Sequence, residues 1–132
     1  MKLCYPLLLL ALFGGGIAQA EKLQLEDIQA PGDLDNIHVV KLYSDKHASD
    51  FIVFVKKSVP LHKHVFHSET IYILEGTGLM RLGDEEFDVK PGDFIKVPEG
   101  APHAVKTTSE KPLKALSVQA PEFFGKDRVP LE

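Results

Sequence analysis

Cysteine is almost missing from this chain: Cys4 is the only one in 132 residues. It sits in a segment that has the layout of a secretory signal peptide. Lys2 gives a short positive start, Leu7–Leu12 an apolar run, and Ala18-Gln19-Ala20 a small-x-small cleavage site. Removal of residues 1–20 leaves a mature chain with no thiol, which excludes a disulfide framework, a thiolate metal site and a cysteine nucleophile. Cys4 also precedes the apolar run, the wrong place for lipid attachment at the cleavage point. A long hydrophobic run is missing too. The stretch from Leu3 to Ala18 is broken by Pro6 and Gly14-Gly15-Gly16 and falls short of the ~20 apolar residues a spanning helix needs. A cleaved leader is therefore a better reading than an uncleaved anchor. The expected location is secreted or periplasmic, with no membrane association once the leader is gone.

Positive charge is scarce. Arginine occurs only at Arg81 and Arg128, and the net charge is −4 with histidine neutral. There is no basic run and no basic amphipathic stretch. The pairs Lys56-Lys57 and Lys111/Lys114 read as solvated charge, and Glu75 as a surface carboxylate. Nucleic acid and anionic membrane are thus excluded as expected partners. The sequence also lacks a Ser-His-Asp arrangement, a phosphate-binding glycine loop and zinc-ribbon spacing. No sustained 3.6-residue apolar period appears between 37 and 120, so little helix is expected.

What the chain does have is a series of short apolar runs punctuated by turns. Residues 21–36 read as a polar N-terminal arm with a turn at Pro31-Gly32-Asp33. Strand-like runs follow at Ile37–Tyr43, Phe51–Lys56, Leu61–Val65, Thr70–Leu74, Gly78–Leu82, Glu86–Val89, Phe94–Val97, Ala104–Thr107 and Leu113–Ala120. Gly83-Asp84 marks a hairpin. Such runs, broken at Pro91-Gly92-Asp93 and Pro98-Glu99-Gly100, predict one all-β domain over 37–120, a sandwich or small barrel. Most of Ile71, Tyr72, Ile73, Leu74, Met80, Phe87, Phe94 and Ile95 are expected in its core. A short turn or helix is expected around Glu122–Lys126 in the tail, 121–132.

The chemistry concentrates in His62, His64, Glu69 and His103. On a strand, His62 and His64 share one face. Glu69 opens the next run and can return to the same interior if that run pairs back on the first. His103 ends a turn stiffened by Pro98 and Pro102. Three imidazoles and a carboxylate form an N/O donor set suited to a divalent transition metal: Fe, Mn, Ni, Cu or Zn. His67, two residues before Glu69, reads first as an exposed rim histidine because 65–68 must bend. The alternative is a partner behind the metal ligands or a proton shuttle. His38 and His47 read as solvent-facing. Arg81 reads as a cross-strand partner for Glu85 or Glu86, with a substrate-carboxylate clamp as the other option.

These residues carry a resemblance. H-x-H, four residues, E, six residues, G falls on His62, His64, Glu69 and Gly76. G, five residues, P-x-G, two residues, H falls on Gly92, Pro98, Gly100 and His103. The two stretches resemble the first and second motifs of the cupin superfamily, and the tail 121–128 is similar to that of many small single-domain cupins. Lys56 and Thr107 depart from the glycine and asparagine usual at the motif ends, both outside the ligand set. The resemblance implies a conical antiparallel β-barrel, a double-stranded β-helix or jelly roll, with a metal held by His62, His64, Glu69 and His103. It also implies a small-molecule ligand rich in oxygen and a homodimer formed through residues 21–43. Dioxygenase, decarboxylase and sugar-isomerase chemistry all occur on this fold, as does non-catalytic ligand or metal binding, and the fold does not choose among them.

Overall fold

A computed structural model of the chain describes residues 22–132; the leader read from residues 1–20 lies outside them. Ten strands follow in order: β1 (Ile37–Ser44), β2 (Ser49–Val55), β3 (Ser58–Lys63), β4 (Ser68–Glu75), β5 (Gly78–Leu82), β6 (Glu85–Val89), β7 (Phe94–Val97), β8 (His103–Thr107), β9 (Leu113–Ala120) and β10 (Val129–Pro130). A single 3-10 turn at Leu25–Asp27 is the only helical element among the described residues. The strands form two five-stranded antiparallel sheets, ordered β1-β2-β9-β4-β7 and β10-β3-β8-β5-β6. This is the all-β, double-stranded architecture expected.

The two sheets close over one core, to which Val55, Ile73, Met80, Val89, Val97 and Leu113 contribute. A second cluster lies on the outer face of the first sheet. There Ile52 and Phe54 of β2 meet Leu25, Ile28 and Leu34 of the N-terminal arm. The first sheet is thus buried on both faces along β2, which explains why Phe51–Val55 is continuously apolar instead of alternating. The arm is a packed cover. Its underside also corrects the reading of Lys114 as solvated. Lys114 is 1% exposed, donates to the Leu25 carbonyl at 2.6 Å, and lies 3.6 Å from the Glu75 carboxylate. Glu75 in turn pairs with Lys111 at 2.6 Å.

Tyr72 and Phe94 depart from the expected core. They are cross-strand partners on β4 and β7, and they are 41% and 66% exposed. Their parity puts them on the outer face, beyond the reach of the arm. The short helix expected near Glu122–Lys126 is also not formed. The tail runs extended because its backbone groups find partners on the barrel. Phe123 N–H donates to Ser49 Oγ, and the Glu122 carbonyl faces a histidine ring.

Gly76 illustrates how tightly the strand ends are packed. Its φ is +76°, and an added Cβ would stand 2.8 Å from the Pro112 carbonyl oxygen and 2.9 Å from Leu113 Cα. Left-handed backbone and a clash with main chain both disfavour a side chain there. Gly76→Ala is expected to cost about 2–4 kcal/mol in urea unfolding. Gly32→Ala, with nothing within 4 Å of the new carbon, serves as the near-neutral control.

Candidate metal centre

The barrel interior brings His62, His64 and His103 together. One ring nitrogen from each lies within 4.8 Å of the others, and all three rings are buried. Local irregularity makes this possible. In the β3–β8 pairing, Val59 opposes Val105 but His62 opposes His103, so β3 carries one extra residue between them. That bulge switches parity, letting Val59 pack on the core and His62 face inward as well. His64 follows two residues later on the same side. The Pro98–Pro102 turn is pinned to this segment by Gly100 N–H, which donates to the His64 carbonyl at 2.6 Å. The two distant motifs are therefore tied through main chain as well as through side chains.

Glu69 arrives by a different route from the one expected. β4 does not pair with β3; it lies in the opposite sheet, between β9 and β7. Glu69 reaches across from that wall. Its Oε2 is 3.2 Å from His103 Nε2 and 3.5 Å from His64 Nε2. Its Oε1 accepts a hydrogen bond from Ser117 on β9.

The outer nitrogens orient the rings. His62 Nδ1 donates to the Pro60 carbonyl at 2.8 Å, and His103 Nδ1 to the Ala101 carbonyl at 3.0 Å. His64 Nδ1 donates to the Asp127 carbonyl. A carbonyl only accepts, so each Nδ1 carries a proton and Nε2 is the ring nitrogen left for the interior. Burial lowers the His62 pKa to about 4, against the hydrogen bond to the Pro60 carbonyl, which raises it; the ring is neutral at physiological pH. Burial also disfavours charge on His64, but the hydrogen bond with Glu69 and the Asp127 carbonyl outweigh it and raise its pKa. For Glu69, burial favours the neutral acid, yet the contacts with His103, His64 and Ser117 hold its carboxyl well below the usual range. Three buried histidines and a buried carboxylate thus converge at one place. The donor set fits a divalent transition metal.

His67 is where the structure overturns the first reading. It is 8% exposed and fixed by the tail instead of standing at a solvated rim. Its Nδ1 is 2.6 Å from Asp127 Oδ2, and its Nε2 is 2.9 Å from the Glu122 carbonyl. Both nitrogens face hydrogen-bond acceptors, so the tail engages the whole ring. Asp127 also accepts from Val65 N–H at 2.8 Å and Phe66 N–H at 2.7 Å. Burial raises the Asp127 pKa, but these hydrogen bonds, that of His67 first, bring it down to about 2. Phe123 stacks edge-on against both His64 and His67. One tail residue, Asp127, thus clasps the 64–67 loop with its side chain and orients a candidate ligand with its carbonyl.

Arg81 stays on the outside of β5, where its Nε donates to the Gly83 carbonyl at 3.1 Å; Glu86 is its register partner. His38 and His47 are exposed. A cavity of about 880 Å³ opens in front of the histidines. Its walls are mostly apolar, with Phe51, Val53, Ile71 and Phe124 among them, and its polar lining includes Ser117, Gln119 and Arg128. Sequence reasoning passed over Ser117, Gln119 and Asp127. The first two carried a signal: polar residues at i and i+2 inside the apolar run Leu113–Ala120, on the side that Leu113 and Ala115 send into the core. Asp127 carried none, because its partners are about 60 residues away.

Comparison with known proteins agrees with this geometry. A family model described as a cupin domain matches residues 51–119. The chain belongs to the cupin family. An uncharacterised protein of Aquifex aeolicus is 37% identical over 76% of this cupin and 83% of its own length. Quercetin 2,3-dioxygenase of Bacillus subtilis is 36% identical over 48% of the chain but only 18% of that enzyme. An oxalate-binding protein of Thermotoga maritima is 34% identical over 46% of the chain and 50% of its own length. Among solved structures, a protein with a double-stranded β-helix domain from Klebsiella pneumoniae superposes with a TM-score of 0.72 at 15% identity, covering 86% of this chain and 99% of that one. No helix among the described residues is long and apolar enough to cross a membrane.

Proposed function

We propose that this cupin is an exported metal-binding protein whose site takes a small oxygen-rich ligand. His62, His64, Glu69 and His103 would hold the metal. The observation that carries this reading is the common orientation of the three rings. Each is fixed by a backbone carbonyl at Nδ1, and each presents Nε2 to the same point opposite a carboxylate. A bound Fe, Mn, Ni, Cu or Zn would supply Lewis-acid polarisation of a coordinated oxygen, and Fe, Mn or Cu would add redox chemistry. The chain itself does the rest. Ser117 holds one oxygen of Glu69 and thereby sets the direction of the other. The apolar walls limit water around the ligand, and Phe123 covers the back of His64. The dioxygenase and the oxalate-binding protein among the relatives support a small oxygenated ligand, and leave open whether it is turned over.

A second reading, ligand or metal binding without turnover, has one observation in its favour. The histidine best placed by sequence to move a proton, His67, has both nitrogens engaged by Asp127 and Glu122. We infer also that the mature chain begins after residue 20 and pairs as a homodimer. Support for pairing comes from β1, an edge strand that leaves Ile37, Val39 and Tyr43 41–55% exposed. Protein recovered from its native host tests all of this together. The expected result is an N-terminus at Glu21, the mass of two chains in solution, and about one transition metal per chain by elemental analysis. Oxygen uptake or product formation with a panel of carboxylates, sugars and enols then separates the enzyme from the binder. A full-length monomer without metal would refute the proposal on every point.

A further inference from the structure

Two polar groups in the cavity have no use in holding a metal. The first is Arg128. Register places it. Val129 pairs with Lys63 and Pro130 with His62, so the next step outward sets Arg128 opposite His64. It lines the cavity while remaining exposed to solvent. Among the described residues its guanidinium has no carboxylate partner. Its backbone is held firmly, because Asp127 next to it makes the four hydrogen bonds of the tail clasp. An unpaired guanidinium on a held backbone, beside an apolar wall, suits bidentate binding of a carboxylate.

The second group is Gln119, on β9 opposite Glu69. It is 8% exposed, it lines the same cavity, and its Oε1 is buried with no hydrogen-bond partner among the described residues. An orphaned buried acceptor is unfavourable unless something brings it a donor. A hydroxyl on the ligand would do so. A carboxylate alone would not, since it has no proton to give.

Resting on the metal reading above, we propose that the ligand is a small hydroxycarboxylic acid with an apolar body, its carboxylate held by Arg128 and its hydroxyl donating to Gln119. The cavity walls, Phe51, Ile71 and Phe124 among them, take the apolar part.

Mandelate, tested as each enantiomer, is a suitable probe because two relatives isolate its parts. Phenylacetate lacks the hydroxyl, and mandelamide lacks the charge. Binding to the metal-loaded protein is measured by calorimetry, with elemental analysis of every variant. Wild type is expected to bind one enantiomer of mandelate more tightly than either relative. Arg128→Gln should weaken mandelate by about ten- to a hundredfold and leave mandelamide unchanged, with Arg128→Lys in between. Gln119→Leu should weaken mandelate by about fivefold and leave phenylacetate unchanged. Both variants should keep their metal and their melting temperature. Saturable binding of mandelate that is indifferent to Arg128→Gln at full metal occupancy would overturn the inference while leaving the metal site standing. No binding of any of the three probes would overturn it as well. Loss of metal from wild type itself is a separate reading on the same samples, and it would strike the metal assignment alone; Arg128-dependent binding of mandelate to that protein would still support the carboxylate site.

Discussion

A His62→Ala/His103→Ala variant is expected to lose its metal and keep its barrel. The two rings face each other across the β3–β8 pairing, with centroids 4.1 Å apart, and they supply half of the proposed donors. A site of this kind binds with a free energy on the order of 10 kcal/mol, so removing half its donors should weaken binding by about a thousandfold or more. Metal per chain after dialysis should fall below about a tenth of the wild-type value. The fold should survive, because neither ring belongs to the apolar cluster that joins the two sheets. Far-ultraviolet circular dichroism of the variant should therefore match that of metal-free wild type. Stoichiometric metal in the double variant would show that the cation sits elsewhere.

Asp127→Ala is expected to have the second largest effect, although Asp127 would touch no metal. Its carboxylate accepts from two main-chain N–H groups and from His67, and the His67 and Asp127 side chains are 10% and 9% exposed. Truncation leaves His67 Nδ1 and two amides without partners. About 2–4 kcal/mol of stability should go with it, a fall of about 10 °C or more in melting temperature. The tail would then no longer hold the Asp127 carbonyl against His64 Nδ1. Metal affinity should drop by about ten- to a hundredfold, the usual effect of losing a group that orients a metal-bound histidine. The stabilisation that metal gives wild type should shrink in the variant at equal metal concentration. A variant that melts like wild type and binds metal equally well would show that the clasp has no role in the site.

The fold could be read from the sequence largely because its signals are local. Runs such as Leu113–Ala120 and Gly78–Leu82 coincide with β9 and β5. Gly83-Asp84 joins β5 to β6, with Gly83 at φ +60°. The four candidate donors could be named because motif spacing fixes residue types at positions, and the structure gathers them at one end of the cavity. What escaped were relations across the chain. Nothing near His67 announces Asp127, so a bend between strands read as an exposed rim. Nothing near Lys114 announces that the arm will cover it, so a buried lysine read as solvated. Glu69 was expected from a neighbouring strand and comes from the facing sheet, because β4 pairs with β9 and β7. Of the two arginines, the one on a regular strand drew attention as a possible clamp. The one that lines the cavity, Arg128, sits in a tail whose course depends on its clasp to 64–67.

The most direct test of the account is anomalous diffraction from crystals of the metal-loaded protein, collected at the absorption edge of the metal found by elemental analysis. The expected result is one peak within about 2.0–2.2 Å of Nε2 of His62, His64 and His103 and of a Glu69 oxygen. A peak elsewhere in the molecule, or one bound with Glu69 turned away from it, would contradict the central claim.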